Sequence, residues 1–218
     1  MRINKFVARA TGMARRKADS IIASGQITIN GKKPEVGQRV NDNDVVELAG
    51  KQLHLPTYKY LLLNKPVGYV CSRQSQRGMK TVYELLPANY RHLKLVGRLD
   101  KESSGAILLT DDGDFAHKMM HPSQGKSKIY EVELDKNLQD KHVEDVESGV
   151  MLEDGISAMK VLSHKNNQVK LELKEGRNRQ IRRTFVPLGY EVIKLHRTDF
   201  GPYSLNEIKT GEFTEIEP

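Results

Sequence analysis

Residues 94–110 read KLVGRLDKESSGAILLT. Two apolar runs, Lys94-Leu95-Val96 and Ala106-Ile107-Leu108-Leu109-Thr110, bracket a polar loop that carries Asp100. Short apolar runs bounded by glycine are strand signals, so Gly97–Gly105 is expected to join two buried strands. A carboxylate on such a loop is well placed for chemistry, because rigid strands fix it while the loop keeps it reachable. Taken alone, the loop favours a turn or capping aspartate, and the surrounding sequence decides.

Outward from this loop, strands are predicted at 60–64, 69–72, 128–134, 158–163, 168–174 and 191–197, besides 94–96 and 106–110. Helices are predicted at 81–86, 114–120, 139–148 and 177–188. Strands in succession with few helices between them point to an α+β fold on a mixed, largely antiparallel sheet with flanking helices. Residues 53–58, LHLPTY, read as a linker containing Pro56. This gives two domains, 1–52 and 59–218. In the first, Ile3, Phe6, Val7 and Ala10 have helical spacing, and Gly12 breaks it. Ala14, Ala18, Ile21 and Ile22 form a second stripe closed by Gly25. Ile27-Thr28-Ile29 and Val45-Val46-Glu47-Leu48 read as strands, with Asn30-Gly31 as a tight turn.

The 218-residue chain is 29% charged and has no apolar run near the length of about 18 residues that a membrane span needs. Its first residues lack an apolar signal core, and Cys71, alone, excludes an internal disulfide or a cysteine-rich zinc site. A reducing cytoplasm is therefore the expected location. Residues 1–39 hold nine basic side chains and two acidic ones, so the whole net charge of +7 sits there. That excess favours a polyanionic partner, with a merely solvated face as the competing reading.

The N-terminal strings Arg2-Ile3-Asn4-Lys5-Phe6, Arg15-Arg16-Lys17-Ala18-Asp19 and Gly25-Gln26-Ile27-Thr28-Ile29-Asn30-Gly31-Lys32 resemble the S4 RNA-binding module. The resemblance implies that Lys5, Arg9, Arg15, Arg16 and Lys32 face RNA phosphates. Ala14 departs from the serine cap usual there. Further on, Gly97–Gly105 combines with Leu63-Asn64-Lys65-Pro66-Val67-Gly68, Lys128-Ile129-Tyr130 and Glu175-Gly176-Arg177-Asn178-Arg179-Gln180-Ile181-Arg182-Arg183. Together they resemble a pseudouridine synthase of the RsuA/RluB/RluF group, the S4-bearing ribosomal RNA modifiers, over nearly the whole chain.

That resemblance implies isomerisation of a uridine in RNA to pseudouridine without a cofactor or metal. Asp100 matches the catalytic aspartate, acting by attack on the nucleoside or by proton abstraction from the ribose. An ionised carboxylate in an apolar pocket needs a cation. Arg182 best matches the family's salt-bridging base, with Arg183 as the nearby alternative. Tyr130 matches the active-site tyrosine. Arg98 resembles the arginine that fills the stack when the uridine is flipped out. Arg177 and Arg179 complete the RNA-binding set. The implied partner is ribosomal RNA, as a structured stem-loop or pre-ribosomal particle, and the expected state is a monomer away from membranes. His121-Pro122-Ser123 and Asn178–Arg183 look closer to large-subunit (23S) than to small-subunit (16S) enzymes.

Other residues carry weaker signals. His117 and His121 have i, i+4 spacing but no third ligand, Asp111-Asp112-Gly113-Asp114 suits a turn with an N-capped helix, and Lys65 suits a loop lysine near phosphates. A non-catalytic S4-type assembly factor and an RNA hydrolase using Asp100 with a histidine are the competing functions. Asp100, Tyr130 and Arg182 occurring together count against the first, and the missing carboxylate partner against the second.

Overall fold

In the computed structural model, residues 1–35, 37–75, 78–121 and 125–218 are described. Pro122 and Ser123 lie outside them, so the 121–123 string has no structural counterpart here. The chain divides into two compact units, Met1–Thr57 and Tyr58–Pro218.

In the first unit, α1 (Ile3–Thr11) and α2 (Arg15–Ala23) pack on an antiparallel sheet of β1 (Ile27–Ile29), β2 (Val46–Leu48) and β3 (Lys51–Gln52). The i, i+4 pairs Ile3/Val7 and Ala18/Ile22 supply the helical faces, and Ile27, Ile29, Val40 and Val46 close the core. Ala14 is the N-cap of α2 and makes no side-chain capping bond. Asn30 (φ 52°) and Gly31 (φ 75°) form the tight turn after β1, clasped by two bonds between Ile29 and Lys32. Leu53 packs against this same core, and its N–H donates to Val46 O at 2.8 Å. The exposed pair Lys51-Gln52 gave no apolar signal for β3.

The second unit runs β4 (Tyr60–Lys65), β5 (Lys94–Val96), β6 (Ser104–Thr110), α3 (Gly113–Met120), β7 (Lys128–Leu134), α4 (Asp140–Ser148), β8 (Val150–Leu152), β9 (Gly155–Ser157), β10 (Lys160–Lys165), β11 (Gln168–Leu173), α5 (Gln180–Phe185), β12 (Val192–Phe200), β13 (Tyr203–Ser204) and β14 (Phe213–Glu215). Among the described residues, nine strands form one sheet along the path β10-β11-β7-β12-β6-β4-β14, with β5 on β6 and β13 on β12. Within this sheet, among the described residues, β12 and β6 are the one strand pair that runs parallel. The fold is α+β on a mixed, largely antiparallel sheet.

β6 is buried on both faces, which explains its unbroken apolar run. Ile107 and Leu109 pack with Leu61, Leu63 and Leu93, while Ala106 and Leu108 pack with Leu62, Phe115 and Phe200.

Several expectations are corrected. Residues 69–72 form no strand; Val70 makes one parallel bridge to Thr81. The 81–86 helix is a 3-10 turn, Val82–Leu85, opened by a capping box between Thr81 and Glu84. The 177–188 helix shrinks to α5, because Arg179 adopts a left-handed conformation (φ 47°) just before it. The hairpin of β8 and β9 was not anticipated.

Candidate active site

The chain between β5 and β6 turns at Gly97 (φ 75°) and passes Leu99 outside any helix or strand. Leu99 is buried in a core cluster with Tyr130 and Val132 of β7, while its neighbours Arg98 and Asp100 are exposed and half-buried. Asp100 is half-buried and lines a cleft of about 1130 Å³. The loop is tied at several points. Ser103 N–H donates to Asp100 O (3.1 Å), Gly68 N–H to Lys101 O (2.8 Å), and Leu99 N–H to Cys71 Sγ (3.4 Å). Lys65 is not a loop lysine facing phosphates. It ends β4 fully buried, and its ammonium donates to Ser103 O (2.6 Å) and Pro66 O (2.9 Å). Burial pushes the Lys65 pKa down and the Cys71 pKa up.

Tyr130, on β7, is buried and lines the same cleft. Behind it stands Arg197 of β12, 2% exposed. Its Nε donates to Ala106 O (2.7 Å) and its Nη1 to Tyr130 Oη (3.4 Å). Its guanidinium carbon lies 4.8 Å from the Phe200 ring centroid. Sequence reasoning missed Arg197. The available signal was alternation along β12, which turns Leu195 inward and Arg197 with it, and a charged residue at an inward position is unusual.

The expected Arg182–Asp100 ion pair is not formed within 4 Å among the described residues. Arg182 donates instead to Val192 O (2.5 Å) and Glu102 O (3.3 Å), the latter two residues along the loop from Asp100. Burial, then the charge of Arg179, lower the Arg182 pKa, against the opposing charges of Glu102 and Asp100. Arg183 points elsewhere and pairs with Asp154 at 2.7 Å. One helical step of about 100° separates the two side chains.

Arg98 is exposed and lines the cleft, as does Arg179, whose guanidinium reaches Glu102 at 3.2 Å. Arg177, expected on RNA, has Nη1 and Nη2 engaged within the protein, while its Nε is buried without a partner among the described residues. It binds the carbonyls of Asp154, Gly155 and Ile156 and the carboxylates of Asp154 and Glu175, which fastens the β8–β9 hairpin to the cleft. In the first unit, Arg15, Arg16 and Lys32 are exposed, and Lys5 and Arg9 are half-buried on α1. The His117 and His121 rings lie with centroids 4.9 Å apart, tilted by 38°, and Asp112 caps α3 by accepting from the N–H groups of Asp114 and Phe115.

The cleft therefore joins a reachable carboxylate, a phenol backed by a buried guanidinium, and a rim of arginines. Such a set can engage an anionic polymer and act on one unit held inside. Comparison with known proteins agrees. The family model for RNA pseudouridylate synthase matches residues 59–186, and the S4 domain model matches residues 1–46. The chain is 37% identical to ribosomal large subunit pseudouridine synthase B of Bacillus subtilis (strain 168), covering 100% of this chain and 92% of the relative. It is 32% identical to ribosomal small subunit pseudouridine synthase A of Vibrio vulnificus (strain CMCP6), covering 98% and 94%. A crystal structure of a pseudouridylate synthase superposes with a TM-score of 0.70 at 28% identity, over 100% of this chain and 96% of the other.

Proposed function

The chain belongs to the RNA pseudouridylate synthase family and carries an S4 domain, and from that premise we propose that it isomerises a specific uridine of ribosomal RNA, with Asp100 as the catalytic carboxylate. The observation that carries this reading is the placement of Asp100 and Tyr130 in one arginine-rimmed cleft. A uridine within duplex RNA is out of reach, so it must leave the stack to enter such a cleft. Arg98, exposed beside Asp100, is positioned to fill the gap left behind. The Tyr130 ring offers the flipped base an aromatic face, and its phenol a proton relay. Arg182 keeps the Asp100 loop in place through Glu102 O and adds positive charge near the carboxylate. Arg179 and the exposed bases of the S4 unit bind phosphates.

Large-subunit RNA is favoured as substrate. The Asn178–Arg183 string supports this, and so does the higher identity to the Bacillus relative, which is named for the large subunit. Mapping pseudouridines in both ribosomal RNAs from cells with and without the gene tests the proposal. The expected result is loss of one large-subunit pseudouridine without the gene. Loss from the small subunit would reassign the substrate, and loss from neither would overturn the proposal.

A further inference from the structure

Arg197 is a buried cation that the fold leaves uncompensated. Among the described residues it has no carboxylate within 4 Å, and its Nη2 is buried without a hydrogen-bond partner. Of the neighbouring arginines, Arg177 and Arg183 pair with Asp154 and Arg179 with Glu102, while Arg182, less buried than Arg197, donates to backbone carbonyls. Burying an unpaired charge is expensive, and the contact with the Phe200 ring offsets only part of it. The arrangement is nevertheless built with care. Residue 105 must be glycine, because a Cβ there would lie 2.2 Å from Arg197 O. That closeness lets β6 run parallel to β12 and places Arg197 behind Tyr130. Arg197 also lies beyond residues 59–186, the part that the family model matches.

A fixed positive charge in a dry site is valuable where negative charge develops during a reaction. Uridine isomerisation has such a moment. The C1′–N1 bond breaks, and its electron pair leaves with N1, spreading over the uracil ring and its two carbonyl oxygens. C1′ is meanwhile bonded by an Asp100 oxygen, or becomes doubly bonded to C2′ as Asp100 takes the C2′ proton. C5 then bonds to C1′. The pair of the C1′–O bond returns to Asp100, or the proton returns to C2′. C5 loses its proton and N1 gains one, so the sum is an isomerisation. In both routes the uracil departs as an anion.

We propose that Arg197 is a positioning residue that holds Tyr130 against the flipped base and supplies the positive charge opposing the departing uracil anion. This rests on the isomerase reading above. Lys128 stands close by on the cleft wall, bonded to Glu175 O (3.2 Å), and adds to the positive field.

The test compares Arg197→Met and Arg197→Lys with the wild type in single-turnover reactions at saturating ribosomal RNA. Each is run with uridine and with 5-fluorouridine at the target, reading loss of the target nucleoside. Fluorine stabilises the departing anion with little change of size. Arg197→Met is expected to slow uridine by about 100-fold, with RNA affinity unchanged, and to show a deficit about tenfold smaller with 5-fluorouridine. Arg197→Lys keeps the charge and is expected to retain more activity. Equal deficits on both substrates would mean a packing role and overturn the inference, as would a loss confined to RNA affinity. If Arg197→Met does not fold, by urea titration, the same comparison is made on the neutral Arg197→Gln, and equal deficits there count equally against it. A wild type that isomerises no uridine would overturn the isomerase reading and this inference together, whereas an active wild type with equal deficits overturns the inference alone.

Discussion

At the scale of single residues, Arg182 and Arg183 make a controlled pair, adjacent on α5 but turned apart. Arg182 serves the Asp100 loop, and Arg183 serves a half-exposed ion pair with Asp154. Arg182→Ala is expected to lower the single-turnover rate by about 100-fold while changing RNA affinity little. Arg183→Ala is expected to leave the rate near normal and to change stability little, as exposed pairs do. Rates at saturating RNA, with affinities measured separately, decide between these roles. That Asp100 and Tyr130 share one cleft was legible because their motifs are dense in specific residue types. Arg197 was not, because the strand at 191–197 was read for its apolar content and not for which side chains turn inward. The bond of Arg182 to Glu102 O was equally hidden, since a backbone carbonyl leaves no mark in sequence.

Elements followed the sequence where apolar pattern and punctuation agreed. Continuous runs in β4 and β6 gave strands, and Asn30-Gly31 gave the tight turn. The failures have local causes. Left-handed Arg179 delays the start of α5, and Gly189 (φ 81°) lies in the turn beyond it. The β8–β9 hairpin had a signal, Asp154-Gly155 between Val150-Met151-Leu152 and Ile156, but its strands are only three residues each. Two stability changes follow. Ala14→Ser supplies the side-chain acceptor that α2 lacks and is expected to stabilise the first unit by about 1 kcal/mol. Gly105→Ala places a Cβ against Arg197 O at φ 110° and is expected to destabilise the second unit by about 3 kcal/mol or more. Urea titrations followed by circular dichroism read both; the chain has no tryptophan. A Gly105→Ala protein of wild-type stability would mean that the β6–β12 contact yields easily.

Across the whole molecule, charge divides by function. The net +7 sits in residues 1–39, and the rest of the chain is neutral overall while carrying arginines around its cleft. Replacing Arg15 and Arg16 together by alanine is expected to weaken RNA binding and to reduce the slope of log affinity against log salt by about 1–2, because each phosphate contact releases counterions. An unchanged slope would mean that this face does not touch RNA. Isomerisation replaces the C5–H bond of uridine by C5–C1′, so ribosomal RNA carrying tritium at uridine C5 releases it as the reaction proceeds. The wild type is expected to release tritium from one site per RNA. Asp100→Asn, folded and binding RNA within about threefold of normal, is expected to release none, because an amide serves neither as nucleophile nor as base. Substantial tritium release by a folded Asp100→Asn protein would mean that Asp100 is not the catalytic carboxylate.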